Sequence, residues 1–136
     1  MPIVQNQDVP VAVLPRAKRR LLAAGHLGAT ETTVFEQWLH ASGYIPLHYH
    51  DVEEIVVILQ GIVEVTMGSE TRVLQAPVTL IVPREQLHAI KPARGSEMVY
   101  LLAAFPSVSP KMFLPDGTEY SSSWQDAQMV HEKPGS

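Results

Sequence analysis

Short β-branched runs, each stopped at or near glycine or proline, recur along the middle of the chain: TTVFEQWLHASG, EEIVVILQG, IVEVTMG, TRVLQAP, VTLIVP, LHAIKP and EMVYLLAAFP. Runs of this kind suit a pleated, half-buried surface and end where turn residues begin, so each predicts a strand. Six or seven strands at a spacing of ~8 to 12 residues predict an all-β sandwich or barrel. No internal repeat or low-complexity stretch interrupts them, so one continuous pattern over 31–106 is expected to form the barrel core.

The flanks read differently. PRAKRRLLAAG, with Pro15 near its start and Gly25 at its end, predicts one short helix or an ordered arm. Residues 1–30 are therefore expected to be an N-terminal arm, carrying that helix or a swapped strand, and VPVAVL within it is apolar enough to add to a neighbour's sheet. Beyond Phe105 come Pro106, Pro110, Pro115 and a PDGT turn, then Tyr120 and Trp124. That composition predicts a C-terminal tail over 107–136 that wraps the barrel without adding strands, with HEKPGS frayed at its end.

Length and charge narrow the possible roles. A chain of 136 residues fits one compact domain, which buries about two thirds of its unfolded surface. A net charge of −4 supplies no general attraction to nucleic acid or anionic lipid. The cluster Arg16, Lys18, Arg19 and Arg20 reads as a solvated arm, since the residues before the first strand are too few for a separate DNA-binding domain. No apolar run reaches the ~18 residues of a membrane span, and no basic start leads into an unbroken apolar core, so a cytoplasmic location is the expectation. Expected partners are a small-molecule substrate and a second copy of the chain, in a homodimer.

Cysteine is absent, which removes disulfides and thiolate sites and leaves any metal to imidazole and carboxylate ligands. In PLHYHDVEE, His48 and His50 lie two apart; on a strand they share a face, roughly 7 Å apart along the backbone. Glu54 opens EIVVIL and alternates with Val56 and Ile58 onto one face, the interior in a closed barrel. A carboxylate there needs a partner. His48 and His50 could donate to it, or a metal could satisfy all three, and His88, between Leu87 and Ala89, could enter from across the barrel as a fourth ligand. Three nitrogens and one oxygen would leave two positions of a six-coordinate ion open.

GYIPLHYHDVEEIVVILQG, with Gly43, His48, His50, Glu54 and Gly61, resembles the first motif of the cupin superfamily: a glycine, HxH, a glutamate and a glycine. PREQLH, with Pro83 and His88, is similar to the second. The resemblance implies a small antiparallel β-barrel of jelly-roll type, with His48, His50, Glu54 and His88 as ligands of one divalent ion per chain, Fe, Mn, Ni or Zn. It does not name a reaction, because the superfamily includes dioxygenases, isomerases, decarboxylases, lyases and cyclases as well as storage and sensing barrels. The chain departs from the pattern in places. Gly43 lies one residue closer to His48 than usual, Pro77 and Glu85 replace glycines, and Pro92 replaces an asparagine. A glutamate at 85 predicts a turn that avoids positive φ.

Around the four motif residues, Val56 and Ile58 are expected to floor a pocket, with Trp38 and Tyr100 on its walls. His40 and Met98 share a parity with those two aromatics, and Arg84 lies beside the mouth. Glu53 is the competing carboxylate, disfavoured by strand parity, and His26 and His131 fall in the arm and the tail. Neither Val56 nor Ile58 can shuttle a proton. The expected function is thus metal-centred activation of a small oxygen-bearing substrate with an aromatic or apolar body, by dioxygenation or by Lewis-acid isomerisation or cyclisation. The alternative is a barrel that binds or senses a ligand without turning it over.

Overall fold

The computed structural model describes residues 1–120 and 128–130. Twelve strands follow in order: β1 (Val11–Val13), β2 (Lys18–Ala23), β3 (Thr33–His40), β4 (Ile45–His50), β5 (Glu54–Gln60), β6 (Ile62–Met67), β7 (Glu70–Gln75), β8 (Val78–Val82), β9 (His88–Pro92), β10 (Met98–Phe105), β11 (Met112–Phe113) and β12 (Gln128–Val130). They form two antiparallel sheets, one ordered β12-β1-β2-β3-β10-β5-β8 and the other β11-β4-β9-β6-β7. From β3 to β6 and again from β7 to β10 the chain passes from one sheet to the other at successive strands, which gives the expected all-β jelly roll.

Alternation explains the interior. In β5, Glu54, Val56 and Ile58 are buried while Ile55 and Val57 are half-buried on the outer face. Across the same sheet, Leu39 pairs with Val99, Gln37 with Leu101 and Phe35 with Ala103; Leu101 and Ala103 continue to Ile58 and Val56. Each row therefore places small or apolar side chains side by side facing the second sheet, where Val63, Val65 and Ile90 complete the core. Leu39, Ile58, Val63 and Val99 are fully buried and close one end of the barrel. The other end, where Glu54, His50 and Phe105 meet, stays polar.

Three expectations about the flanks need correction. Lys18–Ala23 is strand β2, not a helix, because its backbone pairs with β3 from Lys18–Trp38 to Ala23–Val34. VPVAVL does not present a free edge: β1 is paired with β2 on one side and β12 on the other within the same chain. The tail also adds strands, since β11 pairs with β4 and β12 with β1. Trp124, His131 and HEKPGS lie outside the described residues.

The motif glycines and Glu85 have local reasons. A Cβ on Gly43 would collide with the Arg16 carbonyl, and one on Gly61, at φ +99°, with the Met98 carbonyl. The turn after Pro83 does not avoid positive φ: Glu85 itself adopts φ +68°, and its N–H donates to the His50 carbonyl at 2.9 Å. A side chain there costs about 1 kcal/mol. Glu85→Gly is expected to stabilise the protein by up to that amount, less the extra chain entropy glycine brings to the unfolded state. Chemical denaturation checks this, and a loss of stability would count against strain at the turn.

Candidate metal centre

Four side chains from three strands converge at the polar end of the barrel. His48 and His50 come from β4, Glu54 from β5 and His88 from β9. His48 and His88 are direct cross-strand partners, which brings their ring centroids to 4.2 Å. All four residues are buried, and one ligand atom from each lies within 4.8 Å of the others.

The backbone decides which ring nitrogens face inward. His48 Nδ1 lies 2.5 Å from the Pro46 carbonyl, His50 Nδ1 3.0 Å from that of Lys111, and His88 Nδ1 2.8 Å from that of Gln86. A carbonyl can only accept, so in each ring the Nδ1–H donates and Nε2 is left as a lone pair. Those lone pairs meet other acceptors: His48 Nε2 is 3.1 Å from His50 Nε2, and His88 Nε2 is 3.0 Å from Glu54 Oε1. Acceptors face to face require a cation between them.

A proton is a poor candidate for that cation at His48 and His50. Burial is the largest cause at His48 and, with the neighbouring His88, pushes its pKa from 6.5 to about 3, despite the opposing bond to Pro46. Burial also lowers His50, although Glu54 and the Lys111 carbonyl work against it. A divalent ion fits better. Donor atoms about 2.1 Å from an ion and at right angles lie about 3.0 Å apart, close to two of the separations here, and His50 Nε2 to Glu54 Oε1 is 3.7 Å. The carbonyl bonds behind each imidazole are the outer contacts that orient metal-binding histidines.

The cluster opens into a cavity of about 850 Å³ between the two sheets. Val56, Phe35, Leu101 and Phe105 supply apolar wall, and Arg19, Gln37 and Tyr120 supply polar groups. His50 packs edge-on against Phe105 at 4.7 Å, shielding one side of the cluster.

With the cluster in view, comparison with other proteins settles the family. The family model described as Cupin domain matches residues 35–105, from the wall residue Phe35 to Phe105. The chain belongs to the cupin domain family. Structures of similar fold include the polyketide cyclase RemF from Streptomyces resistomycificus, at 20% identity and TM-score 0.70 over 81% of each chain. An RmlC-like cupin from Shewanella frigidimarina is 17% identical, with TM-score 0.67 over 79% of this chain and 92% of its own. Oxalate decarboxylase from Lactobacillus farciminis, in complex with formate, is 19% identical with TM-score 0.70; 80% of this chain aligns with 34% of that one. At such identities these show the shared fold and no more. No curated protein sequence matches the chain.

Not every residue expected at the pocket of this cupin reaches it. Val56 does, but Ile58 is fully buried in the packed row beyond it. Trp38 and Tyr100 are on the outer face, their rings 5.4 Å apart. There the Tyr100 hydroxyl donates to Glu36 at 2.7 Å, and burial followed by that bond pushes its pKa up to about 12. The reason is parity: on β3 the inward set is Thr33, Phe35, Gln37 and Leu39. Met98 and His40 are exposed, as are Arg84 and Glu53. His26 is exposed at the cavity's edge.

Sequence reasoning missed Arg19, Gln37 and Tyr120. Arg19 was hidden by the helical reading of PRAKRRLLAAG; on a strand it alternates with Leu21 into the cavity. The signal for Gln37 was its place between Phe35 and Leu39, two apolar residues of one parity.

Proposed function

We propose that this cupin holds one divalent ion through His48, His50, Glu54 and His88 and is an enzyme acting on a small, oxygen-bearing molecule with an aromatic or apolar body. The observation that carries the reading is the set of inward Nε2 lone pairs, each fixed by a carbonyl behind its ring. When bound, a divalent ion supplies Lewis-acid activation of a substrate oxygen and, if it is iron, access to dioxygen. Phe35, Phe105, Leu101 and Val56 would hold the apolar body and exclude water from the reacting end. Glu54 would offset part of the ion's charge, and the three carbonyl bonds would keep the imidazoles in place through the reaction.

The same barrel serves a polyketide cyclase and an oxalate decarboxylase, so fold likeness leaves oxygenation and isomerisation or cyclisation both open. The ion chooses between them. Protein purified without added metal is expected to contain close to one Fe, Mn, Ni or Zn per chain by elemental analysis. Oxygen uptake dependent on a phenolic substrate would mark the oxygenase branch, and turnover under strict anoxia the Lewis-acid branch. Failure to retain any of the four ions, as purified or after reloading, would overturn the reading. Retention of ion and ligand without product would leave a binding or sensing barrel.

A homodimer belongs to the same reading. It is supported by the apolar outer face of the larger sheet, where Ile55 pairs with Ile81 and with Ala104, and Ile81 is 62% exposed. Sedimentation of that preparation at micromolar concentration should return twice the 15.0 kDa chain mass; a monomer would remove this part.

A further inference from the structure

Gln37 and Arg19 face each other across β2 and β3 as direct pairing partners, so their side chains share the inner face of the sheet about 5 Å apart at Cβ. Both line the cavity. Gln37 is 1% exposed, and its Nε2, which carries two N–H donors, is out of solvent with no hydrogen-bond partner. On its other flank is the apolar Leu101, which can accept nothing. A buried amide left in that state disfavours the protein unless something completes it. Arg19 brings a cation beside it, with its Nε shielded from solvent and its guanidinium 5.7 Å from the centre of the Phe35 ring.

Gln37 sits away from the imidazole cluster, whereas the charge of Arg19 acts on both Glu54 and His48. Gln37 shares a row with Leu101 and Ile58, and Ile58 is four residues along β5 from Glu54, roughly 13 Å of backbone. The cavity continues from one to the other past Phe35, Val56 and Leu101. A molecule that fills it therefore meets two polar ends separated by an apolar wall.

We propose that Arg19 and Gln37 form a second subsite that recognises a carboxylate on the ligand whose other, oxygen-bearing end lies at the His48, His50, Glu54 and His88 cluster. A carboxylate offers acceptors to both the guanidinium and the amide N–H groups, and Arg is suited to planar, paired recognition of that group. Burial and the nearby Arg16 lower the Arg19 pKa to about 10, which leaves it cationic at neutral pH. Glu54 opposes that shift and raises the Arg19 pKa, while its own 3.0 Å contact is with His88. The substrate class is narrowed to small aromatic or apolar acids. This deepens the reading of the cavity as a substrate site and would stand or fall separately from the metal.

The test uses phenylacetate, 3-phenylpropanoate and 4-phenylbutanoate, each against its primary amide, titrated calorimetrically into the full chain, zinc-loaded and EDTA-treated. At least one acid is expected to bind the EDTA-treated chain about tenfold or more tightly than its amide, the scale of a charge-assisted hydrogen bond. Arg19→Gln should bring the ratio close to one. Gln37→Glu, near-isosteric, should do the same by placing a negative charge where the ligand carboxylate would bind, and it decides the matter if Arg19→Gln fails to fold by circular dichroism. A ratio of one in the unmodified protein, or one unchanged in a folded variant, would overturn the subsite. Acid preference without zinc uptake would keep the subsite and remove the metal; zinc uptake without acid preference would do the reverse.

Discussion

His88→Ala is expected to lower the bound metal from about one ion per chain to near background, with an affinity loss of roughly 100-fold or more. Removing an outer contact behind a metal ligand costs about 10- to 100-fold, and here a ligand itself is lost. The change also strips Glu54 of its 3.0 Å partner and leaves a buried carboxylate whose contact with His50 is the longer one, 3.7 Å. Competition titration with a chromogenic chelator measures the affinity. His40→Ala is the matched control: His40 is exposed and bonds to Ser42 at 2.9 Å, so the ion content should stay as in the unmodified protein. If His88→Ala kept a full equivalent of tightly bound metal, the four side chains would not be the site.

Metal removal should cost a similarly large part of the protein's stability. A ligand bound only by the folded chain stabilises it by about 4 kcal/mol when present at 1,000 times its dissociation constant, a melting shift on the order of ten degrees for a domain of this size. Calorimetry with zinc in excess and with EDTA measures it, and coincident melting curves would contradict metal binding to the native state. The metal-free form should also be acid-sensitive. The folded His48 pKa is about 3 against 6.5 for the free side chain, so between those values the unfolded chain binds the extra proton. Stability therefore falls as pH drops from about 6.5 towards 3, and this contribution is flat above 6.5. His50, lowered in the same direction by burial, adds to the slope. A metal-free protein equally stable at pH 7 and pH 5 would contradict a buried, neutral His48.

How far the site was legible in the sequence depended on how local each signal was. His48, His50 and Glu54 lie within seven positions; the two-residue period puts the two histidines on one face of β4 and Glu54 with Val56 and Ile58 on one face of β5. His88 joined them through the second motif, but it arrives from the strand beside β4, as the direct partner of His48, and not from across the barrel. Tyr100 and Trp38 were misplaced because alternation separates two faces without saying which is inside. Both faces of β10 are largely apolar, Met98 and Leu102 on one and Leu101 and Phe105 on the other, so the pattern alone was balanced.

By itself the sequence determined that the middle of the chain is β-structure and that four ligand-type side chains lie on it at cupin spacing. The first is a property of neighbouring residues, set by side-chain sterics and strand periodicity; the second rests on resemblance to the two cupin motifs. The tertiary structure decided the rest. Lys18–Ala23 became a strand because β3 had an edge to pair with, a partner that begins ten residues beyond Ala23 along the chain. That pairing alone turned Arg19 inward beside Gln37, and packing of the second sheet chose which face of β3 would line the cavity. Long-range hydrogen bonds and sheet packing are absent from any short window of sequence, and they set the identity of the pocket walls.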